Sequence, residues 1–372
     1  MIGMIRSRST PVTTDHGGLD RTGWIVLVIV FLSIFVLALD TTIVTVAVPT
    51  ILREFDTNLP SVQWVITGYS LTFATFLIIG GRLGDVFGHR RVFAVGTALF
   101  GFGSFLAAIS SSVAMLILGE AVIEGIGAAL MLPATVAILS NRFTGAERAT
   151  AFTAWGAATG TAVAFGPAVG GFLTTNFSWR WAFGINVVVA PLAILGALLF
   201  MKDGERTPGP RPQIDIGGAV LLATGMFLLV FGLSEGGTYG WLHSRARVVL
   251  GGVGIWPAGW ALSVIPGAFL GALVVLTTFY FNQRGKERMG REALFEFGQL
   301  RHLGFRYGLL TTGGLAMGQH GMQFVLPVFL QDGLHLSAQR NGLWQLPIGI
   351  TVIVAAQVGA RLVRLVGPSA VV

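Results

Sequence analysis

The chain has 372 residues, of which 11% are charged, 53% are hydrophobic and 52 are glycine. An ordinary soluble domain carries about 25% charged residues, and the mean hydropathy here is +0.75. These values exclude a soluble, disordered or collagen-like protein and leave an all-α integral membrane protein. The net charge of +7 would suit a nucleic-acid binder, but the basic residues fall between apolar runs, so no nucleic acid is expected as a partner. Cysteine is absent, which excludes disulfides, thiolate metal sites and a cysteine nucleophile.

Residues 1–23 carry Arg6, Arg8 and Arg21 without an apolar run and read as a cytoplasmic tail. A hydrocarbon core of about 30 Å needs about 20 apolar residues per helix. Ten runs qualify, at 24–48, 62–83, 92–111, 113–139, 150–174, 182–201, 215–234, 260–281, 305–330 and 340–366. Each run is continuously apolar where a barrel strand would alternate, so helices are predicted. The stretch 246–259, with Trp256 and Pro257, is predicted as an interfacial segment. With the tail inside, 19 of the 24 Lys and Arg residues fall on the cytoplasmic side. That bias predicts a multi-pass protein of the inner (plasma) membrane with both termini cytoplasmic.

The segment from Pro49 to Arg91 resembles the segment from Pro327 to the end, with Gly81, Arg82 and Leu83 matching Gly359, Arg361 and Leu362. Repeats of one orientation predict two bundles related by an axis along the membrane normal. The organisation expected is then a six-helix bundle over 24–201, a cytoplasmic linker at 202–214 and two inserted helices over 215–283. A cytoplasmic loop at 284–304 follows, and 305–372 holds the first two helices of a second, incomplete bundle.

Ionisable groups inside a bilayer are expensive and mark a pathway, a proton relay or a paired structural charge. Asp40 lies in the first span, and Glu120 and Glu124 lie in the fourth, four residues apart on one helix face. At 1.5 Å per residue, the three sit roughly 12, 10 and 16 Å from the outer ends. Acids at similar depth can share a polar cavity, where burial and mutual repulsion suit them to hold protons. Trp64 and Tyr69 of the second span, and His320 and Gln323 of the ninth, are candidates to line that cavity. For His320 the competing reading is a packing residue, and for Trp64 the interfacial aromatic belt.

The turn from Gly81 to Arg91 contains Asp85, Gly88, Arg90 and Arg91. Its glycines at helical spacing let backbones approach closely, and Asp85 is placed to accept from a helix N-terminus or an arginine. In the fifth span, Gly166, Pro167, Gly170 and Gly171 set a helix-kinking proline among small residues. No metal-ligand set, nucleophile motif, phosphate loop or dinucleotide fingerprint appears, so no metal, no cofactor and no enzymatic activity are expected.

These motifs, with Leu39-Asp40-Thr41-Thr42, Gly125-Ile126-Gly127-Ala128-Ala129 and Ser178-Trp179-Arg180-Trp181-Ala182-Phe183 leading to Asn186, resemble the major facilitator superfamily, in particular its fourteen-span drug–proton antiporter branch. The resemblance implies major-facilitator-type bundles, alternating access and proton coupling at Asp40. It also implies a gating role for the Gly81–Arg91 turn and an exporter's kink at Gly166–Gly171. Substrates of that branch are typically amphipathic drugs, often cationic, and some relatives move lipids or siderophores. The implied partners are a small molecule, protons and the lipid bilayer. Where the branch has Arg-x-x-Gln-Gly in the fourth span, this chain has Ala121 and Glu124 at the Arg and Gln positions. The sequence ends at Val372, about four helices short of that pattern. It therefore reads as C-terminally truncated, with two alternatives: an exporter that works as it stands, or a non-transporting remnant or subunit completed by a separate chain.

Overall fold

The computed structural model describes residues 20–202, 215–250, 253–291 and 293–366. Among these residues ten long helices appear: α1 (Arg21–Glu54), α2 (Leu59–Phe87), α3 (His89–Ala108), α4 (Val113–Arg142), α5 (Gly145–Asn176), α6 (Arg180–Phe200), α7 (Ile216–Tyr239), α8 (Val264–Arg288), α9 (Leu303–Val328) and α10 (Ala338–Val366). Eight of them, α1 to α8, are long and apolar enough to cross a membrane. The predicted spans at 305–330 and 340–366 are helices too, of 26 and 29 residues. The tail before Asp20 and the linker over 203–214 lie outside the described residues.

The helix ends carry local signals. Asn58 accepts from the Ser61 amide at 3.0 Å ahead of α2, and Asp215 accepts from the Gly218 amide at 2.7 Å ahead of α7. Such caps satisfy amides that lack an intrahelical partner. Between α2 and α3, Gly88 turns the chain at φ +98°, a conformation that a side chain disfavours.

The central element is α1, whose Val30, Ile43, Val46 and Ala47 are fully buried. It packs on α5 and α6, while α3 packs on α4 and α6, and α2 on α4. These contacts join α1 to α6 into one packed group. Outside it, α7 packs on α8 and on α2, and α10 packs on α5.

Two features depart from the sequence reading. The stretch 246–259 is not a plain interfacial segment: Val248–Leu250 and Val253–Trp256 pair as an antiparallel hairpin, β1 and β2, between α7 and α8. Residues Ile117–Glu124 of α4 form a π-helical segment, in which each backbone hydrogen bond spans five residues and the turn widens.

Candidate functional site

The π-helical segment ends at Glu124 and carries Glu120 one turn earlier. Both face Asp40 of α1. One oxygen from each of the three carboxyls lies within 4.8 Å of the others, and the residues are 1%, 3% and 0% exposed for Asp40, Glu120 and Glu124. Asn186 of α6, itself buried, bridges two of them: its Nδ2 donates to Asp40 Oδ1 at 2.8 Å and to Glu124 Oε1 at 2.9 Å. The second oxygens, Asp40 Oδ2, Glu120 Oε2 and Glu124 Oε2, have no hydrogen-bond partner among the described residues. Three carboxylates this close in a low-dielectric setting cannot all carry charge.

Two adjoining cavities lie along α1, and the larger reaches the cluster at Glu120. The larger, of about 350 Å³, has Thr41, Gln63, Tyr69, Ser70 and Glu120 on its wall. The smaller, of about 160 Å³, includes Thr42, Pro167, Gln319 and Gln345. Thr45 and Gln323 line both. Of the three acids, Glu120 is on the wall of the larger cavity, and Asp40 and Glu124 are not among its lining residues.

Tyr69 and Gln323, two residues predicted for the cavity, are thus on its wall. Trp64 is placed elsewhere: its indole donates to Glu235 of α7, because the start of α2 is the surface on which α7 docks. His320 belongs to α9, and its side chain lies outside the described residues. Asn186 was legible as a motif residue but not as part of this site. The available signal was a lone amide in the otherwise apolar run Ile185–Ala190.

At the turn, Asp85 faces His89 at 3.6 Å. A Cβ on Gly84 would strike the His89 ring, and one on Gly81 would meet Pro133 Cβ at an ordinary 3.8 Å. Arg90 donates to the Met201 carbonyl at 3.1 Å, tying the turn to the end of α6, while Arg91 is exposed. Gly88 is the residue that turns the chain there. On α5, a Cβ at Gly166 would overlap Thr42, one at Gly170 would press on Ile43, and one at Gly171 would overlap the Ala338 carbonyl. Pro167 carries its own backbone against Gly342 of α10. This small-residue run lets α5 lie between α1 and α10.

Comparisons with known proteins agree with this architecture. Residues 30–371 match the Major Facilitator Superfamily. The chain is 33% identical to the "Probable actinorhodin transporter" of Streptomyces coelicolor, over 86% of this chain and 52% of that protein. It is 30% identical to the tetracenomycin C resistance and export protein of Streptomyces glaucescens, over 95% and 61%. It is 28% identical to a multidrug transporter protein of Bacillus subtilis, over 90% and 57%. The chain thus spans between half and two thirds of the length of these relatives. A crystal structure of a point mutant of the peptide transporter POT shares the fold, with a TM-score of 0.60, 17% identity and coverage of 92% of this chain and 69% of that one. The chain belongs to the Major Facilitator Superfamily and, with its long apolar helices, is a multi-pass membrane protein.

Proposed function

We propose that this chain works in a proton-coupled antiporter of the fourteen-span branch, which exports amphipathic antibiotic-type molecules by alternating access. Relatives named for antibiotic export or multidrug transport support the substrate class. The observation that carries the coupling is the buried acid cluster reaching a cavity through Glu120. In this reading a proton entering from outside is held among Asp40, Glu120 and Glu124. It lowers the cluster's negative charge and favours release of substrate outward. The unit then returns and loses the proton to the cytoplasm, so one species moves out as the other moves in.

The distribution of Lys and Arg supports an inner-membrane protein with both termini cytoplasmic. In that orientation the Gly81–Arg91 turn is cytoplasmic. Its ties from Arg90 to Met201 and from Arg82 to the Ala293 carbonyl suit it to report changes in helix packing. The packed glycines of α5 suit a helix against which α10 shifts.

Inverted membrane vesicles with an imposed proton gradient test the reading. Adding a transported antibiotic is expected to dissipate the gradient in the wild type and not in Asp40→Asn. Undiminished dissipation in Asp40→Asn would overturn the coupling assignment.

A further inference from the structure

Around the three acids the fold gathers oxygen atoms that no hydrogen bond occupies. Asp40 Oδ2, Glu120 Oε2 and Glu124 Oε2 are buried without a partner among the described residues, and so are the hydroxyls of Tyr69 and Ser104. Tyr69 is 6% exposed and Ser104 0%. Tyr69, on α2, shares the wall of the larger cavity with Glu120 and lies within electrostatic reach of all three acids. Ser104 is on α3, and its hydroxyl is beside the Glu124 carboxyl. The neighbouring Gly103 is so close that an added Cβ would stand 2.8 Å from Glu124 Cβ. Two hydroxyls thus converge from two further helices on the carboxyls that α1 and α4 supply. Buried polar atoms left unpaired are costly, and each calls for a partner. Protons shared between carboxyls can satisfy the acids, but they supply nothing to the hydroxyl oxygens.

A hard cation would satisfy all of them. Calcium takes about six to eight oxygens at about 2.3–2.6 Å in a flexible geometry, so its ligands stand up to roughly 5 Å apart. One oxygen from each acid lies within 4.8 Å of the others, which fits that span. Magnesium holds its ligands at about 2.0–2.1 Å in a strict octahedron and keeps several waters. It is the poorer match, because Asp40 and Glu124 lie off the cavity wall. The set is all oxygen, which favours a hard cation over a soft one, and two positive charges offset most of the repulsion among three carboxylates. We propose that Asp40, Glu120 and Glu124, with the hydroxyls of Tyr69 and Ser104, form a site for a calcium-sized divalent cation, entered from the larger cavity past Glu120. Asn186 acts from outside the ligand set: its amide orients Asp40 and Glu124, as groups behind metal ligands do. No spacing motif announces this set, since its oxygens come from four helices. The site goes beyond the proton-coupled reading and does not rest on it.

Equilibrium dialysis of radioactive calcium against the full chain in phosphatidylcholine nanodiscs tests it without a gradient or a drug, with empty nanodiscs as the blank. The wild type is expected to bind one calcium ion per chain saturably, and magnesium in about tenfold excess is expected to displace little of it. Asp40→Asn and Glu120→Gln are each expected to weaken binding about tenfold or more, and Tyr69→Phe a few-fold, with helix content by circular dichroism unchanged. Glu235→Gln alters a buried acid away from the cluster and is expected to keep wild-type binding. No saturable binding by the wild type up to about 1 mM, the weak end of calcium sites, would overturn the proposal. So would unchanged binding in both acid variants, an equal loss in Glu235→Gln, or full displacement by equimolar magnesium. The dialysis reads no transport, so its failure leaves the proton-coupled reading standing. Gradient dissipation that persists in Asp40→Asn overturns that reading alone.

Discussion

Trp64, near the start of α2, donates its indole N–H to Glu235 of α7 across 171 positions of sequence. Its ring also faces Phe227 and Phe231, with centroids 6.2 and 6.4 Å away. A carboxylate that is 7% exposed needs a donor, so this pair ties α7 to α2. Trp64→Phe keeps an aromatic ring and removes the donor. In a double-mutant cycle with Glu235→Gln, read by thermal unfolding in detergent, a coupling of about 0.6–1.7 kcal/mol is expected, the range of interhelical hydrogen bonds in membranes. Strictly additive effects would show that the two residues do not act as a pair.

That relationship also marks where sequence reasoning stopped. The apolar runs placed all ten helices, because a buried or lipid-facing backbone must satisfy its own hydrogen bonds. Their ends ran further than predicted: α1 continues past residue 48 to Glu54, and α8 past 281 to Arg288. A helix does not stop where the hydrophobic run stops, and polar residues such as Arg53 and Gln283 prolong it. The clustering of Asp40 with Glu124 and Glu120 was foreseeable from depth along the helices. The docking of α7 on α2 was not, since it depends on how two separate surfaces fit, and so the partner of Trp64 could not be read from the sequence. The hairpin did have a local signal. Val248, Val249 and Val253 flank the Gly251-Gly252 pair, a pattern of two β-branched runs around a turn.

The seam between α5 and α10 is built on absent side chains. A Cβ on Gly171 would overlap the Ala338 carbonyl, and one on Gly342 would overlap the Pro167 carbonyl. Both obstacles are backbone, which cannot swing aside. Gly171→Ala and Gly342→Ala are each expected to lower the unfolding temperature by separating the helices. Gly156 and Gly160 lie on the same α5 with nothing within 4 Å of an added Cβ. Alanine there is expected to be neutral or mildly stabilising, because a mid-helix glycine costs roughly 0.5–1 kcal/mol relative to alanine. Equal losses at all four positions would show that packing is not the cause.

At the start of α7, Asp215 accepts from Gln283 Nε2 at 2.7 Å and pairs with Lys286 Nζ at 2.6 Å, both on α8. Burial pushes its carboxyl up, but hydrogen bonds from Gln283, Lys286 and the Gly218 amide outweigh that and hold it below the ordinary 3.8. A carboxyl depressed on folding contributes stability that is fully present above its unfolded value and is lost as pH falls through the folded one. The protection of the first-turn amides of α7 against hydrogen exchange, taken relative to their intrinsic rates, is therefore expected to fall in acid below about pH 4, near the free Asp value, and Asp215→Asn is expected to remove that step. An acid step that survives the substitution would point to another group.

Asn186 gives the acid cluster the hydrogen bonds that let it carry charge. Its amide reaches Asp40 and Glu124 at once, and donors to an ionised carboxylate are worth more than donors to a neutral one. Asn186→Leu conserves size and removes both bonds, so the charged state of the cluster loses its support while the packing of α6 is kept. The expected result is a chain that still folds in detergent, by circular dichroism, but releases fewer protons when a transported antibiotic is added, as read by a pH-indicator dye in weak buffer. Asn186→Gln, which keeps the amide, is expected to restore part of that release. Proton release equal to wild type in Asn186→Leu would mean that the bridge positions helices and has no part in proton exchange.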